Sequence, residues 1–234
     1  MTTRLTRASA SLGRPATNIG VEVQDDGRAS SWQTSGQRVG RFGRMLTTTE
    51  RASLRRALTT AANSPSPTPD PTRVWTADGS TEHLTSPGLP SLEFEPNDKP
   101  PKGFAALIRF LRSLQESLLE SPLGAIALEV DGKPLGARLV HLGQEPMAVR
   151  LGEIAMEAVL FGADSAIVDR TETSVVGPTE SSVVGPGWQF PLSEQLGIAQ
   201  PKPKQMLVVN LVVHVDALGE GTGRPCALGV VIEP

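Results

Sequence analysis

The sequence predicts an α+β fold: a small α+β N-terminal domain followed by an antiparallel β-sandwich. Two observations carry that expectation. Both stretches with helical apolar spacing lie before residue 121. After Gly124 short β-rich runs follow one another, with turn residues at intervals near the roughly 8–12 residues typical of sandwiches and barrels. The expected organisation is a disordered basic tail over 1–17, an α+β domain with two helices and a Pro-rich spacer over 18–121, and the sandwich over 122–234.

In the N-terminal half, Ile19, Val21 and Val23 alternate with polar residues up to Asp26-Gly27. A strand running into Asp-Gly predicts a hairpin, with the return strand passing through Trp32. A Gly- and Arg-rich stretch, 36–44, then leads to the first helix. Thr47 and Glu50 have the spacing of a capping box, and Leu54, Ala57, Leu58 and Ala61 form one apolar face. Prolines at 65, 67, 69 and 71 stop that helix, because proline lacks the amide donor and restricts its neighbour. Strands are expected over 73–80 and 82–84. Leu92 and Phe94, alternating with Glu93 and Glu95, predict an edge strand whose glutamates serve solubility rather than acid–base chemistry. The second helix carries a stripe of Phe104, Leu107, Ile108, Leu111, Leu114 and Leu118 and ends before Pro122.

The C-terminal half reads as strands over 126–130, 137–141, 147–151, 154–161, 167–168, 206–215 and 227–232. The run Leu207 to Val213 is rich in β-branched residues and too short to span a bilayer, so it predicts a central strand. TETSVVGP at 171–178 is followed at once by TESSVVGP at 179–186. Because an inserted stretch shifts register and facing in a packed strand, the duplication is expected in an exposed loop or hairpin before Trp188.

Composition narrows the function classes. At 38% hydrophobic and 20% charged residues, the chain can bury a core. Tyrosine is absent and aromatics make up 4%, which disfavours a stacking platform for bases. The single cysteine, Cys226, forbids an intrachain disulfide and a Cys-rich zinc site, and is expected as a small core residue. Residues 1–60 hold ten Arg and no Lys against four acids, so the rest of the chain is acidic. These arginines lie among Gly, Ser and Thr without a nucleic-acid motif, so a solvated basic face is expected and a nucleic-acid partner is not. The Arg- and Ser-rich start also has the composition of a transit peptide, but a frayed tail is the simpler reading. With no apolar signal core and no spanning run, the expected location is the cytoplasm and no membrane contact is expected.

Chemistry is sparsely provided. No Gly-x-Ser-x-Gly elbow occurs, and the glycine-rich stretch 219–223 runs into Arg224-Pro225 rather than a helix, so it reads as a turn and not a phosphate cradle. His83, His141 and His214 lack the short helical spacing of metal ligands. His214 and Asp216, two apart on a strand, leave an alternative open: an enzyme or metal-binding protein using His141, His214 and Asp216. The leading expectation has no catalytic residue, metal or cofactor. It is a non-catalytic protein-binding or scaffold protein that meets a protein partner through exposed loops, with Trp188, Val183, Val184 and Pro186 as candidate contacts.

The strand Ile19 to Val23, the helix opening at Thr47-Thr48-Thr49-Glu50, the proline-rich connection, the strands around Val74 and Phe94 and the helix from Phe104 resemble the plan of the emfourin family. Those proteins inhibit thermolysin-like metalloproteases. The segment Ala137 to Val149, with its strand, Gly turn, Pro and strand, resembles immunoglobulin-like accessory sandwiches and the intracellular proteinase inhibitors of the Bacillus type. The resemblance implies a protease-inhibitor version of the binding role and assigns no inhibitory residue.

Overall fold

The computed structural model describes residues 2–11, 14–65, 79–220 and 223–234. In chain order, β1 (Thr2–Ser11), β2 (Arg14–Gln24), β3 (Arg28–Gln33), β4 (Ser35–Gly36) and β5 (Arg38–Met45) precede α1 (Thr48–Ala62). Next come β6 (Ser80–Thr85), β7 (Leu92–Phe94) and α2 (Ala105–Leu118). Strands complete the chain: β8 (Pro122–Asp131), β9 (Gly136–Gly143), β10 (Met147–Arg150), β11 (Glu153–Phe161), β12 (Ile167–Val176) and β13 (Ser182–Val184). They continue with β14 (Gln189–Ser193), β15 (Met206–Val215) and β16 (Arg224–Ile232). Most of the proline-rich spacer, the predicted strand from Arg73 and part of the 219–223 turn lie outside the described residues.

The expected α+β domain followed by a sandwich is corrected to a mostly β chain, 52% strand and 14% helix, with antiparallel and mixed sheets. Two stretches account for most of the difference. Residues 2–11, expected as part of a tail, form β1, hydrogen-bonded to β2 on one side and β6 on the other. The Gly- and Arg-rich run before α1 forms β5, with Val39, Gly40, Phe42 and Gly43 buried. Both hide their strand character because arginines and small residues occupy the positions where an alternating apolar pattern is sought.

Contacts divide the chain into two compact units, Met1–Trp32 with Phe42–Pro122, and Gln33–Arg41 with Leu123–Pro234. In unit 1, β2, β1, β6 and β7 lie side by side as antiparallel neighbours. Leu5, Val21, Val23, Leu84, Leu92 and Phe94 are buried, as is the predicted apolar stripe of α2 with Phe104. Helix α2 packs on β1 and β2, and α1 packs on α2. Helix α1 begins where the sequence predicts: the Thr47 hydroxyl accepts from the Glu50 amide, and the Glu50 carboxylate accepts from the Thr47 amide. The Arg44 guanidinium, bound to both Glu50 oxygens at 2.7 and 2.8 Å, holds that carboxyl down at about 2. The predicted hairpin closes at Gly27, whose φ of 85° suits glycine and whose amide donates to Gln24 O.

In unit 2 two groups of strands share one core. In the first, β9 lies between β8 and β14. In the second, β15 is central, flanked by β16 on one side and by β11 and β10 end to end on the other. Outside those run β12, along β11, and β13, along β10. Strand β16 continues to β4 in parallel. The odd-numbered residues of β15 from Leu207 to Val215 point inward and join Ile126, Leu128, Leu139, Ile154, Met156 and Leu228 in the core. About 25 cal/mol per Å2 of buried apolar surface makes this shared core the chief stabilising term of the unit.

Candidate functional site

The duplicated octapeptide is the feature the fold uses most unexpectedly. The expectation of an exposed loop or hairpin is corrected: each copy supplies an outer strand. The first copy's Ser174, Val175 and Val176 lie opposite Ala155, Ile154 and Glu153 in β11. The second copy's Ser182, Val183 and Val184 lie opposite Val149, Ala148 and Met147 in β10. At the junction the Gly177 amide donates to Gly152 O at 2.7 Å, and the Gly152 amide donates to Pro178 O at 3.0 Å. Outermost strands can accept a duplication because only one side of each must keep its pairing.

The two copies face opposite ways. In the first, Val175 packs against the core and Val176 is 77% exposed. In the second, Val183 is 76% exposed and Val184 is buried. The cause lies in the partner strands. Strand β10 turns Met147 and Val149 inward, with Leu151 following past its end, whereas β11 turns Ile154, Met156 and Ala158 inward. The inward series therefore slips from odd to even numbers between Leu151 and Ile154. Gly152, with φ of 57°, sits at that slip. Each repeat copy adopts the facing of the strand beside it.

The result is an apolar border on the outer strands of unit 2: Ile167, Val168, Val176 and Val183 all project into solvent. Charges occupy the middle of β12. Glu157 and Glu172 lie directly opposite each other, an unfavourable pairing of like charges. Arg170 bridges them, at 2.9 Å from Glu157 and 2.7 Å from Glu172.

The candidate contacts named from sequence separate. Val183 and Pro186 are exposed, and Trp188 is half-buried against the core and stacked on Phe190 with ring centroids 6.3 Å apart. Val184 is in the core and inaccessible to a partner. The sequence reading missed Ile167, Val168 and Val176. Their signal was the charged and Thr-rich run between them, which marks a solvent-facing strand.

The residues of the alternative chemistry stand in different settings. His141 is buried in β9, its Nε2 3.1 Å from Glu145 O and its Nδ1 buried without a partner. Burial keeps it below the ordinary histidine range. His214 lies opposite Pro225 and Arg150 in its neighbouring strands; burial first, then the Arg150 charge, lowers its proton affinity. Asp216 follows the end of β15 and accepts from the Glu220 amide at 2.9 Å. Among the described residues no group of three His, Cys, Asp or Glu could hold a metal ion. Cys226 is buried, and desolvation pushes its thiol up to about 12.

Unit 1 offers two polar arrangements that the sequence did not signal. Glu82 is only 1% exposed and is held by Arg7 from β1 at 2.5 Å and Arg112 from α2 at 2.6 Å. Arg112 also donates to Pro96 O, so one carboxylate ties β1, β6 and α2 to the loop after β7. Elsewhere in the unit, Arg4, Thr6, Ala8, Asn18, His83 and Thr85 line an open depression of about 380 Å3. The Arg4 guanidinium lies 4.6 Å from the Trp32 ring centre. Trp32 crosses Gly20 so closely that any Cβ there would collide with it.

Compared with protein-family models, with curated proteins and with solved structures, the chain matches none. No helix among the described residues is long and apolar enough to cross a membrane.

Proposed function

We propose that the chain is a non-catalytic protein-binding module whose contact surface is the outer border of unit 2, formed by β12 and β13. The observation that carries this reading is the row of valines and isoleucine on the outermost strands. Val176 and Val183 are each about three-quarters exposed, and Ile167 and Val168 more than half. Apolar side chains gathered at a strand edge cost solubility, and contact with another protein removes them from water. The resemblance to protease inhibitors makes a protease one class of partner to screen.

Affinity capture by the full chain at physiological salt tests the surface. A Val176→Lys, Val183→Lys double variant replaces two exposed side chains and is expected to keep the fold while losing the partner captured by the wild type. Equal capture by both proteins would remove this surface from the reading.

A further inference from the structure

We infer that the occupant of the β12 edge is a second copy of this chain, paired antiparallel across a two-fold axis; this rests on the reading of that border as a protein-contact surface. Among the described residues, strand β12 is hydrogen-bonded on one side only, to β11, and ends its sheet. Its ten residues therefore present a row of backbone donors and acceptors along the other side. Its side chains alternate, with Thr171, Thr173 and Val175 turned toward the core side and Arg170, Glu172, Ser174 and Val176 turned out.

Charge selects both the partner and the register. A two-fold axis normal to the sheet keeps core-side residues opposite core-side residues. With Thr171 placed opposite its own counterpart, Arg170 of each copy faces Glu172 of the other. Asp169 faces Thr173, and the irregularity between Asp169 and Ile167 ends the regular register beyond that pair. The two-fold makes every such contact twice, so one edge sequence supplies two opposite-charge pairs. Sliding by two residues in one direction sets Arg170 against Arg170; sliding the other way sets Glu172 against Glu172. Like charges directly opposed disfavour both alternatives. In the favoured register each Arg170, which already bridges Glu157 and Glu172 of its own chain, meets a third carboxylate.

Sedimentation equilibrium of the full chain from about 1 to about 300 µM tests the inference over the range expected for a small edge-to-edge interface. The wild type is expected to form a reversible dimer. Arg170→Glu and Glu172→Arg each set like charges against one another at both pair positions, and each should weaken the dimer roughly tenfold or more. Mixed in equal amounts, the two variants restore opposite charges at both pair positions, because every carboxylate of one then faces a guanidinium of the other. A heterodimer is therefore expected to return. If either charge variant loses its folded circular-dichroism spectrum, Glu172→Gln, which removes the carboxylate of both pairs at a site 69% exposed, replaces it as the disrupting change. A wild type that stays monomeric, variants that dimerise unchanged, or a mixture that stays monomeric would each overturn the inference. Failure of the broader binding reading shows separately, as unchanged capture of a partner by the Val176→Lys, Val183→Lys protein.

Discussion

Residues 174–176 and 182–184 have the same three amino acids, Ser-Val-Val, in the same type of element at the margin of the same sheet. Yet the valine that is buried in one copy corresponds to the valine that is exposed in the other. Inside the repeat only Thr173 against Ser181 distinguishes the copies, a change that keeps the hydroxyl and does not alter the alternation. The difference is imposed from the neighbouring strand, where the inward series changes parity across Leu151-Gly152-Glu153. Facing in a strand is thus a property of register with a partner, and a short identical peptide carries no fixed inside and outside.

The strongest break in this comparison is a charge at one buried valine. Val184→Asp places an unpaired carboxylate in the core of unit 2 and should lower stability by about 3 kcal/mol or more, whereas Val176→Asp, the same position of the first copy, should change it by less than about 0.5 kcal/mol. Denaturant melts of the two variants would read the contrast directly, and equal losses would refute the opposed facing. Gly152→Ala comes next. Its Cβ meets no neighbour within 4 Å, so the cost is conformational alone, from a φ of 57°, and about 1 kcal/mol is expected.

A smaller and more local effect follows from acid. His141 binds Trp188 O through its amide, just past the second copy, and its lowered proton affinity means that the folded state favours the neutral ring. This contribution is full above the ordinary histidine value of 6.5 and is lost as pH falls through the lower folded value. Hydrogen exchange at mildly acidic pH should therefore quicken around β14 and the second copy before it quickens around the first. His141→Gln should abolish that order. Acceleration in both copies together would count against the assignment.

The comparison also shows what a sequence can reveal. The stripe of α2, the Thr47 and Glu50 cap, the Gly27 turn and the β-branched central strand β15 were all legible, because each depends on residues a few positions apart. Strand β1 was not. Its core-side positions include Leu5 but also Thr3 and Arg7, and Arg7 is acceptable there only because Glu82 lies next to it in space. Glu82 in turn needs Arg112, thirty residues further on. The outer border of unit 2 was half legible: Val183 stood out as part of a repeat, but its facing, and the core position of Val184, depend on a slip at Gly152 that no local pattern announces.

One buried side chain turns the molecule into its own timepiece. Cys226 is the sole thiol of the chain, lies in β16 opposite Val213 of the central strand, and is protonated far above neutral pH. An alkylating reagent reacts with thiolate, so the intact sheet withholds this sulfur twice, by enclosure and by charge state. The pace of modification then counts each parting of β15 from β16, in native buffer and without denaturant. Val184→Ala should speed that count and Val176→Ala should leave it unchanged, so a single mass shift reports which copy of the repeat bears on the centre of the fold.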